Sequence, residues 1–374
     1  MNKTAKTVVT LVLLAAFAAA AYFSFVKTGQ QADTPAGKLL GTPQAIELSG
    51  LIAVDVEPYF QDPRVVKALA DKGLTVNVKR VGSRDMAQRV VPGQLPDFFF
   101  SSGVLAANQI SDAARQANIS TTSQAPFFTP LVVASWEPVA RILAANGMAS
   151  ETSPKVWRLD MGKLTQVMLE KKRWRDLNKA QAYDVNKSIL VSTTDVRKSN
   201  SAAMYLALTS HALNGGEVVT DKAQAQQMAA KVAELFKRQG YQENYVNGNF
   251  DDYVAIGMGK TPLAFIYENQ MLAYALARKG IGADMVLMYP QPTLFNKVVL
   301  VTTNERAKRL ADALMNDAGL QRLAVDHGFR IANTAQFVQV AQSVGLAVEE
   351  RLTQVIDPPS YTLMAEMIDV IADA

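Results

Sequence analysis

Small hydroxyl and amide residues recur at three places where a strand-like run gives way to a loop or a helix-like run, and glycine accompanies them at two. They are Ser49-Gly50 in "AIELSGLIAV", Ser101-Ser102-Gly103 in "PDFFFSSGVLAANQI", and Ser199-Asn200-Ser201 in "TTDVRKSNSAAMYLAL". Residues of this kind bind rather than make bonds. A helix start carries unpaired N–H groups and a partial positive charge, and hydroxyls add further donors. Glycine lets the backbone approach a guest closely. Together they make a cradle for an anion, and Arg197 and Lys198 would add attraction. The competing reading of each motif is plainer: Ser199 or Asn200 caps a helix and touches nothing else.

Two further residues follow a buried-looking strand in "TPLAFIYENQML". Tyr267 either lines a ligand site or packs in the core. Glu268 is either a ligand-facing carboxylate or an acid placed in the first turn of a helix, where the dipole favours it. As a ligand-facing group it would repel a fully ionised oxyanion and suit a ligand with donors, or a protonated anion.

Bond-making chemistry finds little to stand on. There is no cysteine, which excludes disulfides, thiolate metal sites, a cysteine nucleophile and lipid attachment at cysteine. His211 and His327 are the only histidines, too few for a multi-histidine metal centre. "GKT" at 259–261 would need glycine at position 254 for a phosphate loop, and that position is Val254. No serine sits in a nucleophile elbow. Asp251 and Asp252 read as solvated turn residues. Trp136, Trp157 and Trp174 could form a sugar platform but fit packing better. The expectation is a binding protein, not an enzyme, with no cofactor and no metal.

The elements that would position these residues alternate. Asp62, Pro63 and Gly73 bracket a helix, and "LTVNVKRV" alternates as a strand. Asp221 and Gly240 bracket another helix, with Met228, Val232, Leu235 and Phe236 on one face. "FFTPLVVASW", "DMVLMY" and "KVVLVTT" read as strands. Strands alternating with helices argue for an α/β sheet with crossovers, whose ligands gather beyond the carboxyl ends of strands.

The chain has 374 residues, 49% hydrophobic and 19% charged, enough for two cored lobes. Its net charge of +4 comes largely from the first segment. Without Lys3, Lys6 and Lys27, 35 of the 38 basic residues face 34 acidic ones, which is no nucleic-acid footprint. Residues 1–27 hold an uncharged run from Thr7 to Val26, and a helix rising about 1.5 Å per residue would cross the roughly 30 Å hydrocarbon layer. The run continues through Tyr22, Phe23, Phe25 and Val26, which favours an uncleaved transmembrane anchor over a signal peptide. Lys3 and Lys6 would keep the N-terminus inside and place the body in the periplasm or outside the cell. Residues 28–43 read as a linker.

The order of "ELSG", "PDFFFSSG", "TPLVVAS", "KRWRDL", "STTDVRKSNSAAMYLAL", "TPLAFIYENQML", "DMVLMYP" and "LAVDHGFR" resembles the bacterial extracytoplasmic solute-binding proteins of the type II periplasmic-binding fold. The resemblance covers residues 44–374. It implies two α/β lobes joined by two crossing strands, near 129–135 and 262–268, with a ligand in the cleft between them. Lobe 1 would comprise 44–132 and return over 265–374 with the C-terminal helices, and lobe 2 would comprise 133–264. It also implies a small polar ligand, an oxyanion favoured, held by neutral donors at helix starts. The partner implied is an inner-membrane transporter or sensor complex, in transport, sensing or resistance. The alternative is a ligand-free scaffold of an envelope complex that reuses the fold.

Overall fold

The computed structural model describes residues 45–240, 242 and 248–374. The expected anchor and linker lie outside them, and among the described residues no helix is long and apolar enough to cross a membrane.

The first strand, β1 (Ile46–Ile52), pairs in parallel with both β2 (Leu74–Arg80) and β3 (Phe98–Ser102). The first two are joined through helices α1 (Glu57–Gln61) and α2 (Pro63–Ala70). Helix α2 starts as its sequence dictates: Asp62 accepts from the N–H of Arg64, and Pro63 fills the first helical position. Helix α3 (Val104–Gln116) follows β3 and leads to β4 (Thr122–Trp136).

At 15 residues, β4 is long enough to serve two sheets. Its first part pairs with β9 (Phe295–Thr302), which borders β3. From Leu131 it pairs with β7 (Leu263–Tyr267) on one side, and from Val133 with β8 (Met285–Gln291) on the other. Beyond β8 come β6 (Val156–Asp160) and β5 (Ala149–Ser153). The middle of the chain adds α4 (Glu137–Ala145), α5 (Met161–Leu169), α6 (Asn200–Leu213), α7 (Lys222–Lys237) and α8 (Gly248–Ile256). The C-terminal third adds α9 (Glu268–Arg278), α10 (Glu305–Asn316), α11 (Ala318–Asp326), α12 (Thr334–Ser343) and α13 (Tyr361–Asp373).

The passage anticipated at 129–135 falls where β4 changes partners. The one anticipated at 262–268 lies elsewhere: β7 pairs with the second part of β4 and bridges to Ser192, and the chain returns through Gln291–Phe295 between β8 and β9. A five-residue apolar run such as "LAFIY" fits any buried strand position, so its composition does not say which sheet it joins. The last helix also sits apart from the lobe 1 grouping. Helix α13 buries Met364, Met367 and Ile368 in the core that holds α6 and α7, and Glu366 accepts from Gln226 and pairs with Lys222 of α7.

Two apolar cores result. One gathers Phe60, Phe98, Phe100, Phe127 and Phe329 under β1, β3 and β9. The other surrounds α6, which is buried on every side from Ser201 to His211. Trp157 and Trp174 belong to this second core, and Trp136 lies over Tyr253 at 4.8 Å, so all three tryptophans pack. Inside β1, Gly50 faces the Phe98 ring, and a Cβ there would stand 2.1 Å from it. Gly50→Ala is therefore expected to cost about 1–3 kcal/mol of stability by overpacking, read from urea unfolding. An unchanged midpoint would mean that the Phe98 ring moves freely.

Candidate functional site

The carboxyl ends of β1 and β3 lie side by side, and the residues just past them face the first turn of α6. Asp55 stands three positions beyond β1 and Ser102 closes β3. Asn296 comes from β9, Tyr267 from the end of β7, and Asn200 from the start of α6.

These side chains form one network. The Ser102 hydroxyl donates to Asp55 Oδ2 at 2.8 Å. Asn296 Nδ2 donates to Ser102 Oγ at 2.7 Å and reaches Asp55 Oδ2 at 3.4 Å. Asn200 Nδ2 donates to the Tyr267 hydroxyl at 3.1 Å and reaches Asn296 Oδ1 at 3.4 Å. The Ser102 N–H donates to Ser83 Oγ at 3.0 Å. Gly103 makes the approach of α6 possible. Its φ is +92°, and a Cβ would lie 3.2 Å from Asn200 Nδ2 and 3.4 Å from Asn296 Oδ1.

The electrostatics centre on Asp55. The residue is half-buried, yet its Oδ1 is enclosed and has no hydrogen-bond partner. Burial pushes the carboxyl above its ordinary range, against the hydrogen bonds from Ser102, from its own backbone and from Asn296. Burial, and then the Asp55 charge, push the Tyr267 hydroxyl up as well.

Of the residues chosen from sequence, Ser102, Gly103, Asn200 and Tyr267 meet here. The others do not. Ser49 and Gly50 lie within β1 rather than past its end, because the strand runs on through Leu51 and Ile52. The Ser49 N–H and hydroxyl both donate to Asp97 Oδ2, at 2.8 and 3.1 Å. Asn304 and Arg306 donate to the other Asp97 oxygen. Although burial pushes the Asp97 carboxyl up, these bonds prevail and hold it below its ordinary range. Ser101 is buried within β3, its hydroxyl 3.5 Å from the Val299 carbonyl.

Ser199 is the N-cap residue of α6, but its side chain caps no N–H. Its hydroxyl lies 2.9 Å from that of Ser201, which lies 3.1 Å from that of Thr194, all three buried. Arg197 is turned to Asp195, with Nε 2.9 Å from Oδ1. Glu268 is a correction: it is fully buried and ion-paired with Arg330, Nε to Oε2 at 2.6 Å and Nη2 to Oε1 at 2.8 Å. Tyr289 donates to its Oε1 at 2.6 Å. Glu268 therefore ties elements together instead of facing a ligand.

Sequence reasoning passed over Asp55, Asn296, Ser83 and Asn269. Asp55 carried the clearest signal, an ionisable residue directly after the apolar run "LIAV". Beside Asp55 and Tyr267 opens a cleft of about 280 Å³, walled by Val54 and Pro58 on one side and by Phe250, Asn269 and Tyr274 on the other. On the Ser102–Asn200 side the free space is only about 30 Å³, closed by Met364 and Ile368 of α13. Among the described residues no group of three or more acidic or histidine side chains could hold a metal ion.

No protein-family model matches the chain, and no curated protein matches it. Solved structures do. An ABC transporter structure from Clostridium perfringens ATCC 13124 has a TM-score of 0.54 at 12% identity, covering 87% of this chain and 99% of the other. The periplasmic binding protein AfuA of Actinobacillus pleuropneumoniae, with fructose-6-phosphate bound, has a TM-score of 0.52 at 13% identity, covering 87% and 97%. The ABC substrate-binding protein Lmo0181 of Listeria monocytogenes, in complex with cycloalternan, has a TM-score of 0.52 at 8% identity, covering 87% and 94%. At these identities the likeness is one of architecture, and the chain has the mixed α/β fold of the substrate-binding proteins.

Proposed function

We propose that the protein is a solute-binding protein that holds a small polar molecule between the β1/β3 ends and the α6/β7 side. It works outside the cytoplasmic membrane, tethered by residues 1–27, and passes its ligand to a transporter or sensor. One observation carries this: Asp55, Ser102, Asn200, Tyr267 and Asn296 converge from separate elements on one enclosed polar network beside a cleft. Polar side chains gathered at strand ends in this fold are placed for a guest. The network bridges both sides, so admitting a ligand means parting Asn200 from Asn296 by a hinge motion. An oxyanion would meet the α6 N-terminus and the Ser102 hydroxyl. The buried Asp55 carboxylate selects against its fully ionised form and for a protonated one, or for a solute that carries donors.

The hydrogen bonds that Ser102, Asn200, Tyr267 and Asn296 already make to one another, with about 30 Å³ free beside Ser102 and Asn200, favour the second reading, a scaffold that binds no solute. Thermal melts of the full-length protein against oxyanions, sugars, amino acids, amines and metal ions separate the two. A ligand at a hundred times its Kd stabilises by about 2.7 kcal/mol. A shift with one class, lost in Ser102→Ala/Asn200→Ala, supports binding; a flat panel from folded protein supports the scaffold.

Asp55→Asn supplies a pH test. A carboxyl raised by burial binds its proton more tightly folded than unfolded, so its contribution to stability falls as pH rises through the folded value. Asp55→Asn is thus expected to melt higher than the native protein at pH 7, with the gap closing as the pH falls toward 4. A gap that widens on acidification would contradict the burial of this charge.

A further inference from the structure

We infer that the cleft beside Asp55 takes the ammonium end of a protonated amine. This rests on the solute-binding reading and names the ligand class of that site.

The cleft wall carries enclosed acceptors that lack donors. Asp55 Oδ1 and Asn269 Oδ1 are both buried without a hydrogen-bond partner, and both residues line the same space. Asn269 is 7% exposed, so water reaches it poorly. An enclosed acceptor without a donor is costly, and two on one wall mark a place where a guest brings the donors. Asp251 adds a second carboxylate to the lining. Among the described residues, neither lysine nor arginine lines the cleft. His327 does, but its Nε2 lies 2.9 Å from Asp62.

Three aromatic rings stand among the remaining lining residues, beside Val54, Pro58, Gln270 and Ala273. Tyr267, Phe250 and Tyr274 contribute, the last two in an edge-on pair at 5.9 Å. Carboxylate, amide oxygen and ring faces together suit an organic cation. A primary ammonium offers three N–H donors and a positive charge, and ring faces attract cations. A sulfate-like dianion would instead face the Asp55 carboxylate, with neither lysine nor arginine among the described lining residues. A volume of about 280 Å³ suits a small amine. Burial holds the Asp55 carboxyl above its usual range in the free protein, and a bound ammonium would keep it ionised.

Titration calorimetry on the full-length protein tests this with methylammonium, 1,4-diaminobutane, tetramethylammonium, sulfate and glucose. Saturable binding of an N–H-bearing amine is expected, with tetramethylammonium at least tenfold weaker because it has no donor for Asp55 or Asn269. Asp55→Asn and, separately, Asn269→Ala should each weaken the amine at least tenfold while melting as cooperatively as the native chain. If Asp55→Asn fails to fold, Asn269→Ala decides alone. Amine binding untouched by both variants would overturn the site. Saturable sulfate or glucose binding with no amine response would overturn the ligand class and leave the solute-binding reading standing. No response to any probe would overturn the ligand class, and only a flat result across the wider melting panel would remove the reading beneath it.

Discussion

Arg330→Ala is expected to unfold in urea with about 3–5 kcal/mol less stability than the native chain. Its guanidinium forks onto Glu268 with both side chains fully buried. The same guanidinium donates to the Glu349 carbonyl at 2.6 Å and lies over the Phe337 ring at 4.5 Å. Burial works against its charge, but Glu268 outweighs this and raises its pKa. Removing Arg330 leaves the Glu268 carboxylate buried with, among the described residues, only the Tyr289 hydroxyl as a side-chain donor, and an uncompensated buried charge is the costly outcome. The pair joins the start of α9, strand β8 through Tyr289 and the segment leading to α13, so its loss loosens the elements that frame the cleft. The double variant Glu268→Leu/Arg330→Met should recover most of the loss, because no charge is then stranded. A single variant that loses less than about 1 kcal/mol would show that water reaches the pair.

Gly328→Ala is expected to cost about 2–4 kcal/mol in the same assay. Gly328 has φ +84°, a left-handed conformation that costs other residues roughly 1–2 kcal/mol. A Cβ there would also stand 2.4 Å from the Asn269 carbonyl oxygen and 3.0 Å from its Cα, and crowding a rigid backbone adds about 1–3 kcal/mol. Asn269 is a cleft residue whose N–H is anchored on Thr129 Oγ1 at 3.1 Å. The substitution should therefore weaken solute binding as well as the fold. A cost below about 1 kcal/mol would mean that this backbone yields and that Asn269 is not held in place.

The alternation of strands and helices was legible because it rests on local periodicity and on caps such as Asp62, Pro63 and Asp221, which act within one turn. Ser102-Gly103 and Asn200 were legible for a similar reason: a strand end and a helix start are marked by adjacent residues. Ser49-Gly50 carries the same local mark, yet the strand continues there because Leu51 and Ile52 still pair with β2 and with Phe99 and Phe100 of β3. That pairing belongs to the neighbouring strands, not to the motif. Glu268 shows the same limit more sharply. Its place in a first helical turn is local, but its partner Arg330 is 62 positions away, and nothing in "IYENQ" announces it. Asp55 and Asn296 are isolated in sequence from the other network residues, and only the parallel pairing of β1 with β3 and the return of β9 bring them together. The docking of α13 on α7 likewise follows from which apolar faces remain uncovered, a property of the assembled chain.

The central claim is that the two sides of the polar network part and close around a solute. The chain has no cysteine, so Val66→Cys on α2 and Ile256→Cys on α8, both exposed in the native chain, can be spin-labelled without background. The distance distribution between the labels, measured by pulsed electron resonance with and without the panel of solutes, is the direct test. A population at longer distance in the free protein that shrinks on adding one solute is the predicted result. A single distribution, unchanged by every solute, would contradict the account.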